Sequence, residues 1–220
     1  MTYFPHPLQS GDDGLLAIGG ELSQERLLLA YRYGIFPWYN EPPILWWYIH
    51  PRCVLFPDKV KISKSMRSLI NKNQFRVTID ENFEKVMRSC AATKRKDQDS
   101  SWIHEDMIKA YCRLHAQGYA HSLEVWQNNK LIGGLYGIAL GKMFFGESMF
   151  SKVSNASKFG LIRLSVFLIK KGYNLIDCQQ ETDHMKSLGA QLMSKEEFYA
   201  KLKKNMSHSD EVGKWNWNKY

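Results

Sequence analysis

Residues 121–150 read HSLEVWQNNKLIGGLYGIALGKMFFGESMF, and this stretch decides the fold. It contains three apolar runs, HSLEVW, LIGGLYGIAL and MFFGESMF, separated by Asn128-Asn129 and by Gly141. Turn residues between such runs predict an antiparallel meander of three strands. A long apolar helix over residues 155–170 and a strand, LIDC, are predicted to follow. This order predicts an α+β fold with a mixed sheet.

The glycines of IGGLYGIALG do not follow the G-x-G-x-x-G spacing of a phosphate-binding loop. Glycines within strands more often mark β-bulges or places where two backbones come close together. We therefore interpret this run as a strand with close packing around it.

Before the meander, we predict strands at CVLF and FRVTI and helices over residues 63–71 and 104–116. Asp80 is the predicted cap of a further helix that follows FRVTI. A short helix over residues 23–33 is predicted to begin at Ser23. After the LIDC strand, short helices are predicted around residues 184–187 and after Ser194.

The N-terminal quarter differs in character. The segment GIFPWYNEPPILWWYIHPR, residues 34–52, contains four prolines and three tryptophans in 19 residues. Proline at this density excludes a regular helix and predicts an ordered loop lined by aromatic side chains. We place a small N-terminal domain at 1–53 and a larger domain at 54–220.

The bulk composition narrows the class of protein. The 220 residues are 44% hydrophobic and carry a net charge of +8, which suits a polyanionic partner without establishing one. The four cysteines are scattered without a C-x-x-C pair, and the seven histidines show no metal-ligand spacing. We therefore predict a cytoplasmic protein that uses no metal.

Two features are compatible with nucleic acid. Residues 59–79 contain only basic charges, at Lys59, Lys61, Lys64, Lys72, Arg67 and Arg76. These residues either contact a phosphate backbone or form a solvated helix face. Residues 94–96 form a second, weaker basic patch. The side chains of Trp38, Trp46, Trp47 and Trp102 are either stacking surfaces for bases or ordinary core residues.

Carboxylates interrupt two apolar strands. Glu147 lies within MFFGESMF, and Asp177 follows Leu175 and Ile176. A carboxylate in such a strand must find partners or shift its pKa. Together with Gln179, expected on the same strand face as Asp177, these residues predict a site in an open cleft; two structural carboxylates are the alternative.

Several long strings of the sequence occur together: GIFPWYNEPPILWW, SWI, AHSLEVW, GGLYGIALGKMFFGESMFS, NASK and LIDCQ-x-x-x-x-H-x-x-SLGA. In this order and at these intervals the chain resembles the bacterial leucyl/phenylalanyl-tRNA protein transferases, from about Gly14 to Phe198. The resemblance implies a small N-terminal domain and an acetyltransferase-like (GNAT) domain with a mixed, mostly antiparallel sheet flanked by helices. It also implies transfer of Leu, Phe or Met from aminoacyl-tRNA to the N-terminal Arg or Lys of a protein, which marks that protein for degradation by the N-end rule.

The resemblance also implies roles for individual residues. Asp177 and Gln179 correspond to the catalytic pair, Glu147 to the acceptor-binding residue, and Trp38 and Trp102 to the residues that hold the terminal adenosine of tRNA. The pocket for the transferred side chain corresponds to Leu135, Phe144, Met149, Leu161, Leu164, Leu168 and Ile176. We expect Lys59, Lys61, Lys64, Arg67 and Arg76 to contact the tRNA backbone, and we expect no cofactor and a monomer.

The chain departs from the family pattern in two places. It reads WWYIHPR where the family usually reads WWSPDPR, and the loop TKRKDQDSS is longer than its usual counterpart. Two other functions stay open from sequence. One is an acyltransferase that uses coenzyme A, which the helix entry SKVSNASK disfavours, and the other is a non-catalytic protein that binds tRNA 3′ ends.

Overall fold

The computed structural model describes residues 3–93 and 101–217 of the chain. In chain order its strands are β1 (Leu15–Ile18), β2 (Phe36–Pro37), β3 (Leu45–Trp47), β4 (Arg52–Leu55), β5 (Arg76–Ile79), β6 (Ala120–Gln127), β7 (Lys130–Leu140), β8 (Met143–Ser151), β9 (Leu175–Gln179) and β10 (Gln191–Met193). Its α-helices are α1 (Gln24–Arg32), α2 (Lys64–Asn71), α3 (Phe83–Ala91), α4 (Glu105–Ala116), α5 (Ala156–Lys170), α6 (Asp183–Ser187) and α7 (Lys195–Asn205).

The meander β6–β7–β8 forms the centre of a seven-stranded sheet with the order β10-β4-β9-β8-β7-β6-β5. Every neighbouring pair in this sheet is antiparallel except β8 and β9, which are parallel because α5 crosses over between them. The predicted α+β class, with a mixed, mostly antiparallel sheet flanked by helices, is confirmed. The likeness to the GNAT fold remains a prediction.

Alternation along the strands divides the core between the two faces of this sheet. Leu135 and Phe144 point into a hydrophobic cluster that contains the buried face of α5. Tyr136 and Phe145, one residue further along their strands, belong to a second cluster with α1, α3 and α4. Both faces of the sheet are therefore covered, as the apolar strands of the meander require.

A second, three-stranded sheet has the order β1-β3-β2 and lies within the N-terminal segment. The sequence predicted only an ordered loop here, because strands of two to four residues among prolines give no alternating pattern. Trp46 of β3 is fully buried and belongs to the same cluster as Phe145 of the large sheet. β4 begins at Arg52, so the predicted boundary after residue 53 falls inside a strand of the large sheet. The division into 1–53 and 54–220 remains a prediction.

Most of the predicted helix starts are confirmed by their caps. The side chains of Ser23, Ser63 and Ser194 accept hydrogen bonds from the first turns of α1, α2 and α7. The prediction for Asp80 was wrong, since α3 begins after Asn82. Asp80 is instead buried, and its carboxylate accepts a hydrogen bond from the backbone N–H of Ser122.

The parallel pair β8–β9 is short, and this shortness creates space in the sheet. The register runs from Met143 opposite Leu175 to Phe145 opposite Asp177, and beyond this point the two strands are not paired. β8 continues for six residues, whereas β9 ends at Gln179. A gap therefore opens at this edge of the pair.

The strand glycines mark close packing, as their spacing suggested. A Cβ atom on Gly137 would lie 2.1 Å from the carbonyl oxygen of Phe145 and 2.6 Å from the ring of Phe144. Neither a backbone carbonyl in a ladder nor a packed ring can move far enough to accept it.

Gly137→Ala should therefore lower the free energy of unfolding by about 1–3 kcal/mol or more, through overpacking. Urea denaturation of the purified variant measures this loss. Gly146→Ala is the matched control on the facing strand, because its nearest contact, the carbonyl oxygen of Asp177, is 3.5 Å away. Equal losses in the two variants would contradict the packing argument.

Candidate active site

Two β-bulges lie beside the gap between β8 and β9. On β8, Gly146 and Ser148 pair with the consecutive residues Gly137 and Tyr136, so that Glu147 is the extra residue. On β9, Cys178 is the extra residue in the pairing with β4. A bulge re-aims side chains that regular alternation would direct elsewhere. Regular alternation of side chains is therefore interrupted on both strands beside the gap.

Asp177 is completely buried, and its partner is Arg52 of β4. The Nε and Nη2 atoms of Arg52 donate to the two carboxylate oxygens over 2.8 and 2.6 Å, in a bidentate ion pair. Arg52 Nη2 also donates to the carbonyl of Gly34 over 2.8 Å. The expectation that the Asp177 carboxylate faces an open cleft was wrong, because the guanidinium group covers it.

Gln179 lines the cavity beside the gap, whereas Asp177 does not. Its backbone has φ of 53°, in the left-handed region, which an ordinary strand residue avoids. Its N–H donates to Asp177 Oδ1 over 3.0 Å, which holds this turn in place. The predicted shared face of Asp177 and Gln179 was also wrong, because the turn directs Gln179 into the cavity while Asp177 stays in the core.

Glu147 lies at the end of a series of hydrogen-bonded polar side chains. Its Oε2 accepts a hydrogen bond from the hydroxyl of Tyr111 over 3.2 Å, and Tyr111 is hydrogen-bonded to Tyr31. Glu147 Oε1 has no hydrogen-bond partner among the described residues. Burial raises the pKa of Glu147 to about 7, and the charge of Asp177 adds to this rise, although both tyrosines and Arg52 oppose it.

A cavity of about 520 Å³ occupies the gap. Glu147 is the only acidic side chain among the described residues that line it, and Gln179 borders it as well. Five of the seven residues predicted to surround the transferred side chain form apolar walls: Leu135, Phe144, Met149, Leu161 and Ile176. A mostly apolar concave site with a few convergent polar groups is typical of a substrate pocket.

The other two predicted pocket residues, Leu164 and Leu168, lie away from the cavity. Both are buried in the cluster that contains α5, but neither lines the cavity. They share the apolar stripe of Leu161, and the stripe continues into the core after the helix has passed the cavity.

The two predicted adenosine-binding tryptophans border the same cavity. Trp38 is half-buried and lies 5.8 Å from Trp47, ring centre to ring centre. Trp102 is 7% exposed. Other residues that line the cavity, including Tyr136, Met185 and His184, were not predicted as site residues, because none of them interrupts an apolar strand as Glu147 does.

The predicted backbone-binding residues Lys59, Lys61, Lys64, Arg67 and Arg76 are all exposed. The second basic patch, at residues 94–96, lies outside the described residues. Within the described part of the chain, no group of three or more potential ligands is arranged to hold a metal ion. Nor does that part contain a helix long and apolar enough to cross a membrane.

The sequence was compared with families of known proteins. Residues 54–203 match the family described as leucyl/phenylalanyl-tRNA protein transferase, and residues 20–48 match the N-terminal domain of the same family. The chain belongs to this family. The prediction that it resembles these transferases, and is an enzyme of their class, is confirmed.

Individual members of this transferase family are close in sequence. The leucyl/phenylalanyl-tRNA protein transferase of Flavobacterium johnsoniae is 54% identical over 202 residues, which cover 91% of this chain and 95% of that protein. The one from Hydrogenovibrio crunogenus is 53% identical, over 93% of this chain and 80% of that protein. An aminoglycoside acetyltransferase structure from a soil metagenome, in complex with sisomicin, is 14% identical with a TM-score of 0.40, over 66% of this chain and 97% of that one.

The departure from the transferase pattern at WWYIHPR lies next to the ion pair. Tyr48 is fully buried, and its hydroxyl donates to the carbonyl of Lys195 in α7 over 3.2 Å. The guanidinium of Arg52 lies 5.6 Å from the Tyr48 ring centre and 4.6 Å from that of Phe198. The substituted segment therefore helps to enclose Arg52 with aromatic rings.

Asp177→Asn should lower the free energy of unfolding by about 3–5 kcal/mol, because Arg52 would be left buried without a counter-charge. Urea denaturation at neutral pH measures the change. The matched control is Glu105→Gln, which breaks the exposed ion pair of Glu105 with Arg88 and should change stability little. Similar losses in both variants would show that burial does not decide the strength of the pair.

Proposed function

We propose that this protein transfers leucine or phenylalanine from aminoacyl-tRNA to the N-terminal Arg or Lys of an acceptor protein, forming a peptide bond. Methionine is a third proposed donor. The observation that supports this most directly is that apolar walls, the carboxylate of Glu147 and the amide of Gln179 border the same cavity. We further propose that the protein acts as a cytoplasmic monomer and marks its products for degradation by the N-end rule.

The reaction itself demands little more than alignment. An aminoacyl ester is already activated, and an α-amino group has a pKa of about 7.7–8.0, so that it is a good nucleophile once neutral. Fixing amine and ester in a reactive geometry is worth several kcal/mol in entropy. The chemistry therefore requires no ATP and no covalent enzyme intermediate.

The side chain of Gln179 is proposed to hold the amine of the acceptor by hydrogen bonding as the amine attacks the ester carbonyl. Asp177 is proposed as a positioning residue, because its carboxylate acts through Arg52 and through the Gln179 backbone N–H. The proton of the amine then passes to the departing ribose oxygen by way of groups in the cavity. This assignment separates the electrostatic role of Asp177 from contact with substrate.

Glu147 is proposed to bind the basic side chain of the acceptor. Its Oε1 accepts no hydrogen bond from the described residues, and a guanidinium or ammonium group would supply a charge-assisted hydrogen bond. The chain has a net charge of +8, and no other acidic side chain is found among the described residues that line the cavity. Glu147 is therefore the group there that would attract a cation.

The remaining assignments concern the tRNA. Trp38 and Trp102 border the cavity, where an aromatic ring can stack on the terminal adenine. The exposed residues Lys59, Lys61, Lys64, Arg67 and Arg76 are proposed to follow the phosphate backbone.

The proposed function predicts transfer of labelled leucine from Leu-tRNA to a peptide that begins with Arg, and at least about tenfold less transfer to the same peptide beginning with Ala. Gln179→Ala should lower kcat about 100-fold. Radiolabel incorporation gives the rates, and nitrocellulose filter binding gives the affinity for Leu-tRNA. Acetyl coenzyme A serves as a control donor from which no acyl group should be transferred.

A protein that binds Leu-tRNA but gives no peptide product would be the non-catalytic binder. Product formed equally from both peptides would instead remove the acceptor role of Glu147 while leaving the transfer reaction in place.

The raised pKa of Glu147 predicts a pH dependence of acceptor use. Because only the ionised carboxylate attracts the cation, its contribution is present above pH 7 and is lost as the pH falls through this value. The ratio of kcat/KM for the Arg peptide, wild type over Glu147→Gln, should fall about tenfold between pH 8 and pH 6.

Taking this ratio cancels the titration of the acceptor amine, which both enzymes share. Glutamine keeps an oxygen that can accept the Tyr111 hydrogen bond, so that the packing is matched. A ratio that stays constant over this pH range would exclude Glu147 as the acceptor-binding charge.

A further inference from the structure

The segment after α7, residues 206–217, is bound firmly to the body of the protein. Its Gly213 N–H donates to the carbonyl of Gly118 over 3.1 Å, at a contact so close that a Cβ on Gly118 would lie 2.2 Å from Gly213 N. Glu211 pairs with Lys142 and Lys171 over 2.8 and 2.6 Å. This segment lies beyond the residues 54–203 that match the family.

Trp215 is the anchor of the segment. The residue is 4% exposed, and its backbone N–H donates to Asp80 Oδ2 over 2.8 Å. Its ring stacks on His121 with 3.7 Å between ring centres and an angle of 3° between the planes. His121 is fixed in turn by a 2.8 Å hydrogen bond to the same carboxylate oxygen of Asp80.

The indole of Trp215 also lies next to a residue of the cavity wall, although Trp215 itself does not line the cavity. Its centre lies 6.0 Å from the ring of Phe144, and Phe144 lines the cavity. Gly137 closes another side of that ring, since a Cβ there would come within 2.6 Å of it. The Phe144 ring is therefore held between the cavity and these two supports.

We propose that Trp215 is a specificity-determining residue that sets the depth of the donor side-chain pocket by holding Phe144 in place. The inference rests on the proposed function, in which this cavity receives the side chain of the transferred amino acid. In a close-packed interior, removal of an indole leaves a space into which a neighbouring ring can move. Movement of Phe144 into that space enlarges the cavity.

The consequence is a change in donor choice. Apolar pockets discriminate between substrates by about 10-fold to 200-fold per methylene, so that a modest change in depth alters the ratio between donors measurably. A deeper pocket favours phenylalanine, which has the larger side chain. Trp215→Ala should therefore raise the ratio of kcat/KM for Phe-tRNA to that for Leu-tRNA at least about fivefold, and Trp215→Phe should raise it less.

The ratio distinguishes this role from a merely structural one. Both donors are measured with the same enzyme preparation, and partial unfolding lowers the two rates equally without changing their ratio. Trp217→Ala is the matched control, because Trp217 stacks on Phe167, with 5.7 Å between ring centres, and within the described part of the chain its ring does not contact Phe144. Its ratio should equal that of wild type.

A second measurement does not depend on catalysis. Calorimetric titration with 3′-amide-linked leucyl-adenosine and phenylalanyl-adenosine should show the same shift in relative affinity for Trp215→Ala. Wild type that transfers neither amino acid, combined with a shift in these affinities, would overturn the proposed function and support the role of Trp215. An unchanged ratio in both measurements, or failure of wild type to bind either analogue, would overturn the inference.

Discussion

The bidentate ion pair between Arg52 and Asp177 is the interaction on which the site depends. It joins β4 to β9 across 125 residues of sequence, in an interior where both side chains are at most 1% exposed. Neither charge is tolerable there without the other. The same guanidinium group binds the carbonyl of Gly34 and lies over the ring of Phe36, at 5.1 Å from its centre. One arginine therefore connects the aromatic N-terminal segment to the strand that carries Gln179.

The site is built where the sheet departs from regular pairing. Parallel pairing of β8 and β9 stops at Phe145 and Asp177, and each strand has a bulge just beyond this point. An uninterrupted ladder would have sealed the gap and kept strict alternation of side chains. The bulge at Glu147 has an energetic cost, since the carboxylate is held in surroundings that raise its pKa to about 7. Such a cost is typical of positions where charge serves binding rather than stability.

Much of the fold could be predicted because its signals are local. Turn residues defined the meander, and Ser23, Ser63 and Ser194 marked helix starts through hydrogen bonds within one turn. The features that the sequence did not predict depend on contacts between distant segments of the chain. Asp80 is an acceptable helix cap by sequence, yet it binds Ser122 and Trp215. The left-handed backbone of Gln179 has no signal of its own, so alternation placed Gln179 and Asp177 on one face. For the site, the residues that the sequence assigned to one substrate region lie together, since Glu147, Trp38, Trp102 and five predicted apolar residues line one cavity.

The two proposed substrates would be selected by different physical interactions within one cavity. The donor side chain would meet an apolar wall, where the energy per methylene is small and the outcome depends on how rigidly the wall is supported. The acceptor would meet a single carboxylate in a poorly solvated place, where one charge interaction is strong and depends on pH. One support of the Phe144 ring, Trp215, is distant in sequence and lies outside the matched family region. If the proposed roles of Trp215 and Glu147 hold, donor choice should differ between relatives that share every residue lining the cavity, whereas acceptor choice should follow Glu147.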